Sequence, residues 1–443
     1  MSRHRRKRKL PNFPVRVTVE SLSHDGRGVA HVDGKAVFID GALPGEEVSF
    51  LYTGRSRRYD EGRVCEVFSP SEHRVEPRCA HFGVCGGCSL QHMAPSQQIL
   101  SKQQTLLDNL ERIGHVRPET VLPPLTGPHW HYRYKARLGV RHVHKKGRVL
   151  VGFREKRRSY IADLARCEVL VEAVGERLEE LAELVQAMEA RERLPQIEVA
   201  AGDAAVALVF RHLDPLVEAD LERLRDYARG SGLHVWLQPG GPDTAAPLWP
   251  VDSSLSYCLP SFDLELRFLP TDFTQVNPAI NRAMVDQALA LLDLSGRERV
   301  LDLFCGIGNF TLPIAREAGS VTGVEGDAGL VQRARDNARA NGIDNAGFAV
   351  ADLGRDPAGQ AWLAGSWDRV LVDPPRSGAQ EMMPHLAALR PERIVYVSCH
   401  PGSLARDAGL LVNEHGYRLV TAGVMDMFPH TAHVESMALF ELP

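Results

Sequence analysis

The stretch VLDLFCGIGNFTLPIA, Val300 to Ala315, decides the fold of this 443-residue chain. An apolar run of strand length leads into Gly306-Ile307-Gly308 and then into a sequence suited to a helix. A buried parallel strand that ends in a glycine turn beside a helix N-terminus lets the backbone approach a bound ligand closely. Strand-like and helical segments alternate from residue 270 onward, which predicts an α/β domain with a parallel sheet.

A second strand-like run, VTGVEGD, ends in Glu325. An acid at this point can accept hydrogen bonds from the two hydroxyls of a ribose. A lone Gly-x-Gly would also fit a dinucleotide enzyme, but Phe-Cys-Gly-Ile-Gly-Asn preceded by Asp302 resembles the first motif of class I S-adenosylmethionine-dependent methyltransferases. In that resemblance Asp302 lies where an acid organises the amino-acid end of the cofactor, and Asp352 lies where the adenine amine is met.

Three short strings further along carry candidate chemistry. VLVDPPRSG places Asp373 after an apolar strand, IVYVSCHP places Cys399 after the next strand, and FPHTAHVESMALF places Glu435 near the start of a last strand. Ligands of open α/β sheets lie beyond the carboxyl ends of the strands, so these groups can converge on one site. Cysteine is both a nucleophile and a leaving group, and a nearby carboxylate can act as a base. An inert buried cysteine is the alternative interpretation of Cys399.

The combination of Asp-Pro-Pro-Arg, Ser-Cys-x-Pro and His-x-Glu resembles the RNA uracil-C5 methyltransferase family over essentially the whole chain. The resemblance implies a class I, Rossmann-like domain that transfers a methyl group from S-adenosylmethionine to carbon 5 of a uridine through a cysteine–carbon 6 adduct. It implies that Cys399 is the nucleophile and Glu435 the base. The positions that match the cofactor contacts of the family are Gln275, Phe304, Asn309, Glu325, Asp352 and Asp373.

Residues 13–70 are predicted to form a small β-barrel. Alternating valines from Val15 to Val19 are followed by turn signals such as Asp25-Gly26 and Asp33-Gly34. Short strands separated by such turns predict a five-stranded, OB-like barrel of the oligonucleotide-binding kind. The segment resembles a TRAM domain, which implies a role in binding RNA.

Four of the eight cysteines form a candidate metal site. CAHFGVCGGC contains Cys79, Cys85 and Cys88, and Cys167 follows in LARCEVL. Three clustered thiolates and a distant fourth can supply the four ligands of an iron–sulfur cube or of a structural zinc ion. The spacing differs from Cys-x3-Cys-x2-Cys, which argues against radical S-adenosylmethionine chemistry. The family resemblance favours a [4Fe–4S] cluster over zinc.

Two basic stretches are candidates for RNA binding. Between Arg133 and Arg158 the chain has eleven Lys or Arg and one acid, Glu155, with aromatic residues among them. Cations neutralise phosphates and aromatic rings stack on unpaired bases, so this stretch predicts an RNA-binding segment, with a salt-bridged surface as the alternative. The run from Arg3 to Lys9 is either a second such segment or a disordered tail.

These features divide the chain into a basic tail (1–12), the barrel (13–70), a central α+β RNA-binding domain with the cysteine cluster (71–268) and the methyltransferase domain (269–443). A helix-like stretch runs from Pro95 to Ile113, and a helix extended over 95–124 could pack with the C-terminal domain. The cysteine spacing, the lack of an export signal and the lack of a long apolar run predict a cytoplasmic protein without a membrane segment. We expect a monomer.

The barrel and the cysteine cluster favour, within the resembled family, the bacterial type that acts on 23S ribosomal RNA. Transfer RNA uracil-C5 methylation is the alternative in the same class, although that group generally lacks both features. A non-catalytic RNA-binding iron–sulfur protein is disfavoured because both Cys399 and Glu435 are present. A cytosine-C5 methyltransferase would use the same thiolate strategy. The sequence identifies neither the uridine nor the group that stabilises the enolate oxygen.

Overall fold

The structure is a computed structural model that describes residues 10–355 and 358–443. The basic run from Arg3 to Lys9 lies outside the described residues. The chain divides into two compact units, Met1–Lys102 with Pro429–His433, and Gln103–Phe428 with Val434–Pro443. In the described ranges, no helix combines the length and the apolar character that crossing a membrane requires. The division into four sequence domains stays a prediction.

The first unit contains one β-sheet. Its strands are β1 (Val15–Thr18), β2 (Ser21–Leu22), β3 (Gly28–Val32), β4 (Lys35–Asp40), β5 (Glu47–Arg55) and β6 (Asp60–Ser69). The strand order is β1-β5-β6-β4-β3-β2, so the two outer strands are consecutive in the chain and the sheet closes into a barrel. The predicted OB-like barrel is therefore confirmed. β1 and β2 together form one strand that bends between them. β1 pairs with β5 and β2 pairs with β3, so this strand joins the two edges of the sheet.

Apolar side chains fill the barrel because alternate residues of each strand point inward. Its core consists of Val19, Ala30, Val37, Ile39, Ala42, Val48 and Phe50. Packing requires a glycine at position 62 of β6, because the Cβ atom of any other residue at Gly62 would lie 2.3 Å from the ring of Phe50. The inward face of β6 therefore leaves room for the largest residue of this core.

A loop with the three clustered cysteines connects β6 to α1 (Pro95–Asn109). The buried amide of Gln98 donates hydrogen bonds to the carbonyls of Leu90 (3.0 Å) and Met93 (2.7 Å), and it accepts one from the backbone of His430 (2.8 Å). Ser89 donates from its backbone to the carbonyl of His430 at 2.8 Å. These bonds hold the end of the cysteine loop and the segment Pro429–His433 together in the first unit.

The second unit begins with a sheet whose order is β13-β12-β11-β10-β8-β9. This sheet contains a hairpin with Gly202 at its turn, because β10 and β11 pair antiparallel and Gly202 donates to the carbonyl of Ala205 at 2.8 Å. The elements of this part are β7 (Thr120–Val121), β8 (Lys135–Val143), β9 (Arg148–Gly152), α2 (Glu172–Gly175), α3 (Leu178–Gln186), β10 (Gln196–Ala201), β11 (Val206–Arg211), α4 (Glu218–Ser231), β12 (His234–Gln238), β13 (Ala246–Trp249), β14 (Leu255–Leu259) and β15 (Leu264–Phe268).

The predicted α/β domain follows in the same unit, around an eight-stranded sheet with the order β18-β17-β16-β19-β20-β22-β21-β7. Strands β16 to β20 are parallel, and β22 runs antiparallel to both β20 and β21. The elements are α5 (Pro278–Leu292), β16 (Arg299–Leu303), α6 (Thr311–Glu317), β17 (Ser320–Glu325), α7 (Ala328–Ala340), β18 (Ala346–Val350), β19 (Arg369–Val372), α8 (Met383–Leu389), β20 (Arg393–Ser398), α9 (Pro401–Gly409), β21 (Arg418–Met425) and β22 (Glu435–Glu441).

The strand order reverses beside β16, which makes that strand a topological switch point. β17 and β18 follow β16 in the chain and lie next to it in one direction along the sheet. β19 and β20 come later and lie next to β16 in the other direction. Crossover connections leave on opposite faces at such a point, and a crevice opens beyond the carboxyl ends of the two central strands. The glycine turn after β16 and Asp373 after β19 both lie at this crevice.

The helical stretch expected from Pro95 to Ile113 is present, but its extension to residue 124 was wrong. α1 ends at Asn109, and one π-helical turn, Leu110–Gly114, follows it. His115 then adopts a left-handed conformation with φ of 53°, which ends the helix. Residues Thr120–Val121 instead form β7 and pair with β21 at the edge of the eight-stranded sheet. Gly114 lies so close to α9 that a Cβ atom would be 2.3 Å from the carbonyl oxygen of Ala405.

Candidate active site

The pairing of β20 with β22 brings Cys399 and Glu435 together. Ser398 is the last residue of β20 and pairs with Ser436 of β22, and the hydroxyl of Ser436 donates to the carbonyl of Ser398 at 3.4 Å. Because the strands are antiparallel, the residue after Ser398 and the residue before Ser436 are the next opposite pair. The candidate nucleophile and the candidate base are therefore neighbours through backbone register.

A tight strand-to-helix turn holds Cys399 at the start of α9. The side chain of His400 caps this helix, because its Nδ1 accepts from the backbone of Ser403 at 3.1 Å. The hydroxyl of Ser398 accepts from the backbone of His400, also at 3.1 Å. Cys399 itself is half-buried at this turn, whereas residues 394–398 of β20 are buried.

The Asp-Pro-Pro-Arg loop is fastened to the same helix by Asp407. This fully buried carboxylate accepts from the backbone of Ala379 (2.8 Å) and the hydroxyl of Tyr396 (2.7 Å), and it forms an ion pair with Arg406 (2.7 Å). Arg406 also donates to the carbonyl of Ser377 at 2.9 Å. The loop that follows β19 and the helix that follows Cys399 are thus held as one body. No motif singled out Asp407 in the sequence.

The resting thiol of Cys399 is protonated at neutral pH. Burial raises the pKa of Cys399 to about 11, and the negative charges of Glu435 and Asp373 act in the same direction. The guanidinium of Arg376 acts against this shift and favours the thiolate. Burial also raises the pKa of Asp373 to about 7, so this carboxyl is close to half-ionised at physiological pH.

A buried acid lies under the glycine turn of β16. The carboxylate of Asp302 is fully buried, and one of its oxygens accepts from the hydroxyl of Thr311 at 2.5 Å. The other oxygen, Oδ1, has no hydrogen-bond partner among the described residues. Burial, with the neighbouring charges of Asp373 and Glu325, raises the pKa of Asp302 to about 8. An unpaired buried acceptor next to a crevice is suited to a cationic or hydrogen-bond-donating ligand.

The glycine turn itself leaves space for a ligand. Gly306 has a φ of +55°, and no heavy atom lies within 4 Å of the position that its Cβ would take. Its backbone donates to Glu325 Oε2 at 3.2 Å, while Glu325 Oε1 accepts from the backbones of Gly326 (2.7 Å) and Asp327 (3.0 Å). Phe304 also has a positive φ of 66°. The structure therefore brings Phe304, Glu325 and the glycine turn together at the switch point.

The remaining predicted cofactor residues have different surroundings. The amide of Asn309 pairs reciprocally with that of Asn281 (3.0 and 2.9 Å), and its oxygen also accepts from the hydroxyl of Tyr257 (2.8 Å). Asp352 is exposed and accepts from the backbone of Gly354 at 3.0 Å. Gln275 is half-buried in the segment between β15 and α5. Sequence reasoning missed Tyr257 and Asn281, because neither lies in a motif and their partner is distant in the chain.

The four candidate metal ligands fall in both units. Cys79, Cys85 and Cys88 are half-buried in the loop of the first unit, and Cys167 is buried in the second unit. The backbone of Gly87 donates to the sulfur of Cys85 at 3.3 Å. A backbone N–H directed at sulfur stabilises the thiolate form, which is the form that binds a metal.

The basic stretch between Arg133 and Arg158 is partly neutralised. Ion pairs join Lys135 and Arg137 to Glu198, Lys146 and Arg148 to Asp163, and Arg158 to Glu155. Of the aromatic residues, Tyr132 is buried and cannot stack on a base, whereas Tyr160 is 64% exposed. The salt-bridged interpretation thus applies to the paired residues, and RNA binding by the stretch stays a prediction.

Comparison with known proteins identifies the family. The family model of the tRNA (uracil-5-)-methyltransferases matches residues 96–353 and 364–442, and that of the TRAM domain matches residues 14–49. A 23S rRNA (uracil(1939)-C(5))-methyltransferase, RlmD, of Alkalilimnicola ehrlichii is 58% identical over 438 residues, which cover 99% of this chain and 98% of the relative. The protein of the same name from Xanthomonas campestris is 55% identical over 440 residues, 99% of each chain.

A solved structure supports the fold. The tRNA (uracil-54, C5)-methyltransferase of Pyrococcus abyssi, in complex with S-adenosyl-L-homocysteine, superposes with a TM-score of 0.73 over 96% of this chain and 100% of that chain, at 24% identity. The chain belongs to the RNA uracil-C5 methyltransferase family. The resemblance found in the sequence, the Rossmann-like domain and the TRAM barrel are thereby confirmed.

The charges of the side chains around Cys399 predict how substitution of those side chains changes the rate at which Cys399 is alkylated. Arg376→Gln should slow alkylation at pH 8 and Glu435→Gln should speed it, each by up to about tenfold, because one pKa unit changes the thiolate fraction by about that factor. The rate is measured with iodoacetamide from the masses of cysteine-containing peptides, with the exposed Cys65 in the same digest as the internal reference. Equal rates in all three proteins would contradict the described electrostatics.

Proposed function

We propose that this chain methylates carbon 5 of one uridine in 23S ribosomal RNA through a covalent adduct of Cys399. The observation that supports the proposal is the pairing of Ser398 with Ser436, which makes Cys399 and Glu435 the next residues on the two antiparallel chains at the carboxyl end of β20. Relatives that are 55–58% identical over 99% of the chain carry the name of a 23S rRNA uracil-C5 methyltransferase. Transfer RNA is the alternative substrate, and the more distant Pyrococcus abyssi protein is named for it.

The crevice at the switch point fits the methyl donor. We assign Gln275, Phe304, Asn309, Glu325, Asp352 and Asp373 to S-adenosylmethionine, as the family resemblance implies. The open space at Gly306 and the unpartnered oxygen of buried Asp302 suit a ligand that carries an ammonium group and a ribose. When bound, S-adenosylmethionine supplies an electrophilic methyl group to carbon 5 of the activated ring.

Cys399 activates the pyrimidine by adding to carbon 6. Carbon 5 of free uracil is a poor nucleophile, and addition of a thiolate converts the ring to an enolate with its negative charge shared by carbon 5 and oxygen. Because the resting thiol has a raised pKa, its proton must pass to a base as the sulfur attacks. Asp373, one of the two carboxyls that raise the pKa of this thiol, takes the proton in its ionised form, so Glu435 stays ionised for the later step, and Arg376 stabilises the thiolate.

Glu435 completes the reaction by removing a proton from carbon 5. After methylation that carbon carries both the methyl group and a hydrogen, and loss of the proton restores the double bond as the sulfur leaves carbon 6. A general base has to lie within hydrogen-bond reach of the proton it removes. Glu435 is proposed to meet this requirement because it precedes Ser436, whose partner Ser398 directly precedes Cys399. Both faces of the uracil must be reached, so the base is flipped out of any stack.

The cysteines at positions 79, 85, 88 and 167 are proposed to hold a [4Fe–4S] cluster, with zinc as the alternative. The set consists of four thiols, and the N–H···S bond at Cys85 supports its thiolate form. Such a cluster supplies a covalent cross-link between distant parts of the chain. We assign it to folding or to holding RNA rather than to the methyl transfer.

The barrel and the exposed part of the basic stretch are proposed to hold the RNA. Exposed cations such as Arg141 and Arg157, and the exposed ring of Tyr160, lie on this stretch. Cations bind the backbone phosphates, and an exposed ring stacks on an unpaired base. The enzyme is proposed to act as a monomer in the cytoplasm.

Substitution of the base should trap the reaction after methylation. Glu435→Gln is expected to accumulate a protein–RNA adduct that carries the methyl group, because the amide cannot take the carbon 5 proton. The measurement uses the methyl-labelled cofactor with unmodified transcripts of 23S rRNA and of transfer RNA, followed by denaturing electrophoresis. We expect labelled adduct with the 23S transcript and at least tenfold less with transfer RNA.

The matched control is Glu414→Gln, which removes an exposed carboxylate at the end of the π-helical turn Leu410–Glu414 that follows α9. It should form methylated product without adduct, as the wild type does. Free product in normal yield from Glu435→Gln would exclude Glu435 as the base. Adduct formation on transfer RNA alone would leave the mechanism intact and overturn the 23S substrate.

Metal analysis tests the cysteine site. Protein isolated without oxygen should contain about four iron and about four sulfide ions per chain, the composition of a [4Fe–4S] cluster. Cys167→Ser should lose most of both, whereas the exposed Cys65→Ser should keep them. One zinc ion in place of iron and sulfide would contradict the cluster and support the structural zinc.

A further inference from the structure

A group of possible metal ligands lies at the tip of the hairpin formed by β8 and β9. His142 is the penultimate residue of β8, His144 begins the turn, and Glu192 lies in the segment that follows α3. The metal-binding atoms of these three side chains all lie within 4.8 Å of one another. Neither the methyl transfer nor the cysteine cluster uses any of them.

We propose that His142, His144 and Glu192 bind a divalent transition-metal ion, with zinc as the first choice. Glu192 Oε1 lies 3.1 Å from His142 Nδ1 and 3.9 Å from His144 Nε2. Two ligand atoms about 2.0–2.1 Å from a tetrahedral zinc ion are about 3.3 Å apart, so the present separations need only small side-chain movements. Two imidazoles and one carboxylate form a common protein ligand set for zinc.

The backbone around these side chains is held in place without a metal. His142 lies within the β8–β9 ladder, opposite Val149. On the other side, the fully buried Asp220 accepts from the backbones of Glu189 (2.9 Å) and Ala190 (3.0 Å), which fixes the segment that carries Glu192. Ligands on rigid segments lose little conformational entropy on binding, which favours metal affinity.

The ring nitrogen Nδ1 of His142, which faces Glu192, is the atom that most clearly favours a bound metal ion. His142 Nδ1 is buried, and its 3.1 Å contact with Glu192 lacks the geometry of a hydrogen bond. A buried ring nitrogen without a hydrogen bond costs free energy that a metal bond would recover. The side chain of His144 is 77% exposed, so an ion can enter from solvent. Three protein ligands leave one tetrahedral position for water or a phosphate oxygen.

The bound ion would tie the tip of the hairpin to the segment after α3. Lys145 and Lys146 lie on the same turn, between the two histidines and β9. A cation added here would raise the positive charge of a hairpin that belongs to the basic stretch. The alternative role of the three side chains is a simple ion pair between protonated histidine and Glu192, which needs no metal.

Zinc titration of the cluster-containing enzyme distinguishes these roles. By isothermal titration calorimetry at pH 7.5, the wild type should bind one more equivalent of Zn²⁺ than either His144→Ala or Glu192→Gln. The control is His24→Ala, which removes an exposed histidine elsewhere and should keep that equivalent. Binding should weaken at least tenfold at pH 5.5, because the imidazoles must be neutral to bind metal.

A spectroscopic arm identifies the ligand atoms. Cu²⁺ added at one equivalent should show nitrogen hyperfine structure from histidine in its electron paramagnetic resonance spectrum, and His144→Ala should lose part of it. Affinity for S-adenosylmethionine should be the same in all variants, which reports that they are folded. Equal Zn²⁺ stoichiometry in the wild type and both variants, or an unchanged copper spectrum in His144→Ala, would overturn the metal site.

Discussion

The antiparallel register of β20 and β22 is the constraint on which the rest of the site depends. It makes the residue after Ser398 and the residue before Ser436 neighbours across the two strands, so the backbone pairing of these strands sets the positions of Cys399 and Glu435. Because side chains alternate between the faces of a sheet, a slip of one residue in this register would turn Glu435 to the other face. The remaining parts of the crevice are attached to this pair. Asp407 fastens the loop after β19 to the helix after Cys399, and the strand-order reversal at β16 sets the glycine turn beside them.

Burial gives the crevice an unusual charge balance. It raises the pKa values of Asp302 to about 8, of Asp373 to about 7 and of Cys399 to about 11, so three potential anions are largely or partly protonated before ligands arrive. A cationic methyl donor favours ionisation of the two carboxyls, since opposite charges stabilise each other strongly in a water-poor site. The thiol, by contrast, has two carboxylates and one guanidinium as its neighbours. The raised pKa therefore keeps the thiol of Cys399 mainly protonated at neutral pH before ligands bind.

Much of the fold could be predicted from local patterns, and the rest depended on contacts between distant residues. The apolar run before Gly306 and the alternation of strands and helices gave the parallel sheet, because burial on both faces demands such runs. Cys399 and Glu435 lay in recognisable strings, and their proximity followed from strand order. The end of the helix after Pro95 was mispredicted, since the left-handed turn at His115 and the pairing of β7 with β21 are set by tertiary packing. Asp407 and Tyr257 were missed for the same reason, because a buried polar partner leaves no periodic signal. The basic stretch could not be resolved into paired and exposed cations without the positions of Glu198 and Asp163.

The central claim is that the sulfur of Cys399 bonds to carbon 6 before the methyl group moves, and a 5-fluorouridine transcript tests it most directly. Fluorine on carbon 5 cannot leave as a proton, so the methylated adduct cannot release the sulfur. With the methyl donor present, the wild-type enzyme should form a stable protein–RNA adduct whose digest places the nucleotide on the peptide that contains Cys399. Cys399→Ala should form none. An adduct on another cysteine, such as the buried Cys305 of the glycine turn, or an undiminished adduct in Cys399→Ala, would contradict the account.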